Sequence, residues 1–183
     1  QEISESTKVS IGSIYHHFGD RDGLIRAAYV QTFRLTIQKD IERVKKFMTR
    51  MTSAKEMAEH YDEMLAFLNH HFEQFPARDR ANTIGSTTGR PLLRSAVVAV
   101  QTELTTGLTE VMQLLKERGI LKAHLEPRAA AVMTLGMLHG RVIAEFDSMP
   151  VANEDWNASM LTAFSGLFVG ADDLPIWNKL AKA

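Results

Sequence analysis

The chain contains no cysteine, which excludes disulfide bonds and thiolate metal sites and is compatible with a cytoplasmic location. Proline and glycine are scarce, at five and eleven of 183 residues, and neither an alternating strand pattern nor an internal repeat is found. No apolar run approaches the roughly 18 residues that a transmembrane helix needs. The formal net charge is only −1, so bulk positive charge does not hold this chain to nucleic acid.

What the sequence does contain is helical periodicity along most of its length. Hydrophobic residues make up 45% and charged residues 23%, proportions typical of a soluble protein with a substantial core. Apolar residues recur at spacings of three and four, as in helices that bury one face. The sequence therefore predicts an all-α fold without a sheet.

Capping residues mark the helix ends in the first half of the chain. Asp20 is expected to cap a long helix that runs to about Arg50. Ser53 and Glu56 form a capping box for the next helix, which is expected to continue until shortly before Pro76.

Proline, glycine and asparagine divide the second half. Residues 77–89 are expected to be loop with at most a short helix. Pro91 and Pro127 suit the first turns of two further helices, and Gly119 suits the stop of the first of them. Asn153 is expected to cap the last helix.

The most informative stretch is residues 9–24, a short helix followed by the start of the long one. Ser10 can cap the short helix, and Val9, Ile14 and Phe18 can attach it to a core. The other face of this short helix carries serine, glycine, tyrosine and histidine. A short helix that is ordered on one side and polar on the other is suited to insertion into a partner.

A helix-turn-helix motif reads DNA by placing the second of two short, locked helices in the major groove. An earlier short helix is predicted to end near Thr7, and Ile3 and Val9 can lock the pair. Gly12 would let the backbone approach the duplex closely. Ser13 can bond a base edge or a phosphate, while Ile11 can meet a thymine methyl.

Several further side chains offer hydrogen-bond donors or charge to the phosphates. The candidates are Tyr15, His16, His17 and Arg21. The alternative is that the aromatic residues belong to the core and that the histidines merely lie on the surface.

These residues match a known family pattern. The run Val9-Ser10-x-Gly12-Ser13-Ile14-Tyr15-x-His17-Phe18-x-Asp20-Arg21-x-x-Leu24 closely resembles the recognition helix and linker of the Tet repressor (TetR/AcrR) family of bacterial regulators. The resemblance covers residues 3–25, and the rest of the chain agrees in helix order and length only.

Two positions depart from the family pattern. Lys8 stands in the turn where the family usually has glycine, at a site that takes a positive φ. A residue other than glycine there costs on the order of 1 kcal/mol, so a strained turn is expected. Arg21 replaces the usual lysine and keeps its charge.

The resemblance implies a transcriptional regulator, most often a repressor, which binds a near-palindromic DNA operator as a homodimer. It further implies release from DNA by a small hydrophobic effector whose identity the sequence leaves open. By position, Ser10, Ile11, Gly12 and Ser13 would face bases, and the four candidates above would hold phosphates. No cofactor is implied.

The resemblance also implies two domains. Residues 1–24 would be the C-terminal half of a helix-turn-helix domain, and residues 25–183 a helical effector-binding and dimerisation domain. The family's first helix and basic arm are accordingly expected before residue 1.

A stripe of histidine, methionine and aromatic residues is the first candidate for an effector pocket. Methionine and aromatic side chains make adaptable pocket walls, in which a few polar groups orient a ligand. The candidates are His60, Met64, Phe67, Leu68 and His71, together with His139 from a later helix. The alternative is that these side chains are plain core.

The last two predicted helices are candidates for a dimer contact. Residues 129–131 and 136–140 offer a surface of small side chains, and a bulky surface follows in Leu161, Phe164, Leu167 and Phe168. Together they suit a four-helix contact between two chains. Close packing within one chain is the alternative.

Two other classes of function compete with the regulator. An enzyme or metal protein finds little support, because the adjacent pairs His16-His17 and His70-His71 point in different directions and no catalytic motif is present. A helical protein-interaction module without DNA binding would explain the neutral charge but not the polar segment at residues 10–17.

Overall fold

The chain is described by a computed structural model over residues 2–74 and 77–170, without some side chains of the third, fifth and sixth helices. Within these residues it forms nine helices and no β-sheet, which confirms the all-α prediction. The helices are α1 (Glu2–Thr7), α2 (Ile11–Phe18), α3 (Arg21–Arg50), α4 (Ala54–Glu59), α5 (Tyr61–Gln74), α6 (Ala77–Gly85), α7 (Pro91–Glu117), α8 (Pro127–Glu145) and α9 (Asn153–Ser165). None of these helices has both the length and the hydropathy of a membrane-spanning segment.

Side chains cap α3 and α4 close to where the sequence predicts. The Asp20 carboxylate accepts a hydrogen bond of 2.6 Å from the Gly23 amide, and the Ser53 hydroxyl accepts one of 3.1 Å from the Glu56 amide. Glu56 does not return this bond to Ser53 but accepts from the amide and hydroxyl of Thr52, both at 2.7 Å. These bonds hold the pKa of Glu56 below its usual value.

Two helix boundaries differ from the predictions. The helix expected from Ser53 onward is broken at His60, which separates α4 from α5. The predicted Asn153 cap is wrong, because Asn153 is the first helical residue and Ala152 holds the cap position without a side-chain bond. The side-chain oxygen of Asn153 instead accepts a hydrogen bond from Arg141 of α8.

Helices α3 and α7 pack along one another, and α8 lies against α7. An ion pair of 3.0 Å between Arg34 and Glu103 joins the exposed edges of α3 and α7. The Arg118 guanidinium, just after α7, donates to the backbone oxygens of Thr49 and Met51 at 2.9 and 2.8 Å. The C-terminal ends of the two long helices are therefore tied together.

A glycine of α7 lies against α3. A Cβ built on Gly107 would lie 2.8 Å from Cδ1 of Ile41 in α3, so a larger residue would displace that side chain. The surrounding core is rich in methionine, including the buried Met48, Met51 and Met112.

Four of the residues predicted to meet between two chains are buried within one. Ala130 and Ala131 are 3% and 0% exposed, and Leu161 and Phe168 are 4% and 2% exposed. Phe168 also pairs with Leu121 in an isolated antiparallel bridge. These four side chains are core residues, so the prediction that they form the dimer surface is wrong.

Candidate functional site

The turn between α1 and α2 is held by polar bonds. Lys8 has a φ of 57°, the one positive value among the described residues other than glycine, as the departure from the family glycine predicts. The Ser4 hydroxyl donates to the Val9 carbonyl at 2.7 Å, and the Thr7 hydroxyl donates to the Ile3 carbonyl at 2.6 Å. The predicted apolar lock is wrong, because Ile3 and Val9 are 51% and 43% exposed.

Serine residues organise the start of α2. The Ser10 hydroxyl accepts a hydrogen bond of 3.0 Å from the Ser13 amide, which makes Ser10 the predicted N-cap. The two hydroxyls also lie 2.8 Å apart and bond to each other. The helix ends at Phe18 and is capped by Gly19, whose φ of 82° suits a residue without Cβ.

Gly23 fixes how closely α2 sits on α3. A Cβ at this position would lie 1.9 Å from the backbone oxygen of Phe18, so only glycine fits. Ile14 and Phe18 are the half-buried side chains of α2, and α2 packs against α3. Sequence reasoning missed Gly23, although a glycine in the first turn of a long helix is a signal that a close approach is required.

The candidate DNA contacts of α2 lie on its solvent side. Ile11 and Tyr15 are 48% and 49% exposed, so Tyr15 is not a core aromatic. Ile14 and Phe18 are the buried side of α2, and a rotation of 100° per residue places the opposite side about half a turn away. That opposite side carries Gly12, Ser13 and His16, with Tyr15 on one flank and His17 on the other. Ile11 is on the same side as Ile14 and Phe18 but remains exposed because it is the first residue of α2. Arg21 is exposed at the start of α3.

This segment also matches a family model. Residues 1–28 match the model for bacterial regulatory proteins of the tetR family, which covers α1, α2 and the first residues of α3. Two short helices with an exposed polar second helix are the arrangement that a helix-turn-helix motif uses to enter the major groove. The match supports a regulator of the tetR family and confirms the resemblance found in the sequence. No curated protein and no solved structure matches the chain.

A second candidate site is a cavity of about 560 Å³ among α3, α5, α7, α8 and α9. This volume lies within the range of small-molecule sites. The lining is mostly apolar and includes Val44, Phe47, Met64, Phe67, Leu104, Leu108, Met112, Leu135, Met137, Met160 and Phe164. The cavity therefore offers an apolar chamber suited to a hydrophobic body.

Charged side chains border the same cavity on its α3 and α5 walls. Three are basic and exposed, and we call them the basic rim: Arg43, Lys46 and Arg50. Glu63 and His70 of α5 are the other charged or titratable residues in the described part of the lining. Arg50 bonds Glu63 at 2.6 Å and lies 5.5 Å above the Phe47 ring.

The structure brings together only part of the predicted pocket set. Met64 and Phe67 line the cavity, whereas the described lining does not include His60 or His139. His60 lies at the break before α5, where its ring Nδ1 is 2.9 Å from the Glu56 carbonyl oxygen. The side chains of Leu68 and His71 lie outside the described residues.

The cavity residues that sequence reasoning missed come mainly from α3 and α7. No local pattern singles them out, because their inward direction depends on how several helices are rotated. Among the described residues, no cluster of three or more His, Asp or Glu side chains is arranged to hold a metal ion.

Proposed function

We propose that this protein is a ligand-responsive transcriptional repressor that acts in the cytoplasm as a homodimer. In this proposal residues 1–24 belong to the DNA-binding domain and residues 25–183 form the effector-binding and dimerisation domain. The supporting observation is that one helix, α3, serves both sites. Its first turn carries Gly23, against which α2 is seated, and its C-terminal half carries Val44 and Phe47 of the cavity wall.

The DNA contacts follow from the exposed sides of α2. Ile11, Gly12 and Ser13 read bases, and Ser10 fixes the helix start while remaining close to the duplex. The phosphate contacts are Tyr15, His16, His17 and Arg21, which fix register and carry little sequence information.

A continuous helix couples the cavity to the DNA site. Ligand that separates α3 from α7, α8 or α9 moves α3 as a unit, because its backbone bonds resist bending. The α2 helix must follow, since it packs on the first turns of α3. Ligand binding thereby changes the distance between the two recognition helices of a dimer and lowers operator affinity.

The dimer surface is reassigned to the exposed apolar side of α8. Val132 and Met133 are 52% and 60% exposed, and Ile143 and Phe146 are each 73% exposed. Their spacing repeats along one side of the helix and its end, with the exposed Gly136 between them. An exposed apolar stripe of this kind supports a self-complementary contact between two copies. Sedimentation that shows a monomer at micromolar concentration would contradict this assignment.

The DNA-reading role is tested by gel-shift titration against a randomised duplex library. Tyr15→Phe is expected to weaken binding about equally on all sequences, because it removes a phosphate contact. Ile11→Lys is expected to change the preferred sequence, because in this proposal Ile11, exposed at the N-terminal end of α2, contacts a base. An unchanged preference after Ile11→Lys would remove Ile11 from the reading set.

The alternative is a helical interaction module that does not bind DNA. Salt separates the two functions, because phosphate contacts release counterions and give duplex affinity a steep salt dependence. Duplex binding that is absent at low salt would favour the interaction module.

A further inference from the structure

The cavity joins an apolar interior to a positively charged opening. Its interior includes Leu104, Met112 and Leu161, which are 7%, 0% and 4% exposed. Arg43 and Lys46, one turn apart on α3, are exposed where they border it. A molecule that fills this site therefore meets apolar side chains along its body and cations at the end nearest solvent.

The charges at this opening are not balanced by the described side chains. Arg50 is already paired with Glu63 at 2.6 Å, and Glu63 is the one carboxylate in the described lining. No carboxylate among the described side chains forms an ion pair with Arg43 or Lys46. Within the described part of the chain, the basic rim thus retains two cations without a carboxylate partner, and His70 adds a further nitrogen group on the facing wall.

We propose that the effector is an anionic amphiphile, with an apolar chain or ring body and a single carboxylate. The body occupies the methionine- and leucine-lined interior, and the carboxylate stays at the opening. Guanidinium and ammonium groups bind it there without complete loss of its hydration. This inference rests on the proposed effector role of the cavity and specifies the chemistry of the ligand.

Three probes with the same ten-carbon chain separate charge from apolar fit: decanoate, decanol and decyltrimethylammonium. Calorimetric titration of the protein without DNA is expected to give the tightest binding with decanoate and the weakest with the cation. Octanoate is expected to bind roughly 15-fold more weakly than decanoate, since each buried methylene is worth roughly fourfold in affinity.

A pair of double variants tests the basic rim itself. Arg43→Gln with Lys46→Gln is expected to weaken decanoate binding roughly tenfold, the loss typical of one charge-assisted contact, and to leave decanol binding unchanged. The matched control, Lys39→Gln with Lys55→Gln, removes two exposed lysines outside the described lining and so changes the net charge equally. Unchanged decanol binding also shows that the rim variant is folded.

The outcomes distinguish this inference from the function on which it rests. If decanol or the cation binds as tightly as decanoate or more tightly, the anionic assignment is wrong but the effector role remains. The same conclusion follows if the rim variant and the control variant lose decanoate affinity equally. Binding of none of the probes overturns both. Decanoate binding that depends on the rim but does not release DNA supports the ligand class and overturns the proposed repression mechanism.

Discussion

Replacing Gly12 by alanine is expected to separate the stability of α2 from its capacity to bind DNA. A Cβ at Gly12 would have Ser10 Oγ, 3.9 Å away, as its nearest neighbour in the chain, which is ordinary van der Waals contact. The chain itself therefore has no steric need for glycine here. Because glycine in a helix costs about 0.5–1 kcal/mol relative to alanine, Gly12→Ala should raise the free energy of unfolding by about 0.5 kcal/mol.

The same methyl group is expected to weaken DNA binding. Gly12 lies on the side of α2 opposite its contact with α3, where the duplex would approach. A methyl group that holds the helix away from one base pair should cost about 1–3 kcal/mol, which corresponds to roughly 5- to 150-fold in affinity per recognition helix.

Urea unfolding and gel-shift titration on the same protein measure both effects. Gly85→Ala is the matched control, because a Cβ there meets nothing within 4 Å, so it is likewise free of steric conflict, and the residue lies in α6 rather than α2. The control should leave DNA affinity unchanged. A Gly12→Ala protein that binds DNA as tightly as the original would refute the close approach.

Three further predictions follow from the same geometry. Lys8→Gly should raise the free energy of unfolding by about 1 kcal/mol by relieving the positive φ, whereas Lys8→Ala should give no such gain in the same denaturant titration. Gly23→Ala should lower the free energy of unfolding by about 1–3 kcal/mol and abolish DNA binding, because the added Cβ collides with a backbone oxygen. A free energy of unfolding equal to that of the original protein would show that the close approach is not needed. Glu126 caps α8 by accepting from the amides of Arg128 and Ala129, which lowers its pKa. The ordinary pKa of this carboxyl group is 4.5. The stabilisation by the cap is therefore complete above pH 4.5 and is lost as the pH falls through the lowered pKa of the folded protein. The stability gap between Glu126→Gln and the original protein should therefore narrow in acid, and a gap that stays constant would contradict the cap.

Local signals in the sequence located most of the helices. Asp20, Pro91 and Pro127 each act within one turn of themselves, so their effect is visible without knowledge of the fold. The positive φ of Lys8 was also predictable, because it follows from comparison of one turn position with a family pattern.

Which apolar residues face the core, and which residues line the cavity, depends on tertiary packing and could not be predicted from the sequence. Leu161 and Phe168 have the same apolar character whether they face a partner or their own core, and only the packing of neighbouring helices selects the core. Likewise His70 borders the cavity while the described lining does not include His60, although both are histidines of one predicted helix. A pocket assembled from five helices has no sequence period of its own.

The contact between Gly107 and Ile41 gives α3 the properties of an unequal lever. If α3 turns about this contact, the arm to Phe47 at the cavity is about 9 Å and the arm to Gly23 is about 27 Å, at about 1.5 Å per residue. A displacement of about 1 Å at the cavity then becomes about 3 Å at the seat of α2. In the proposed mechanism, the position of Gly107 along α7 would thus set how far a small movement at the cavity is amplified at α2.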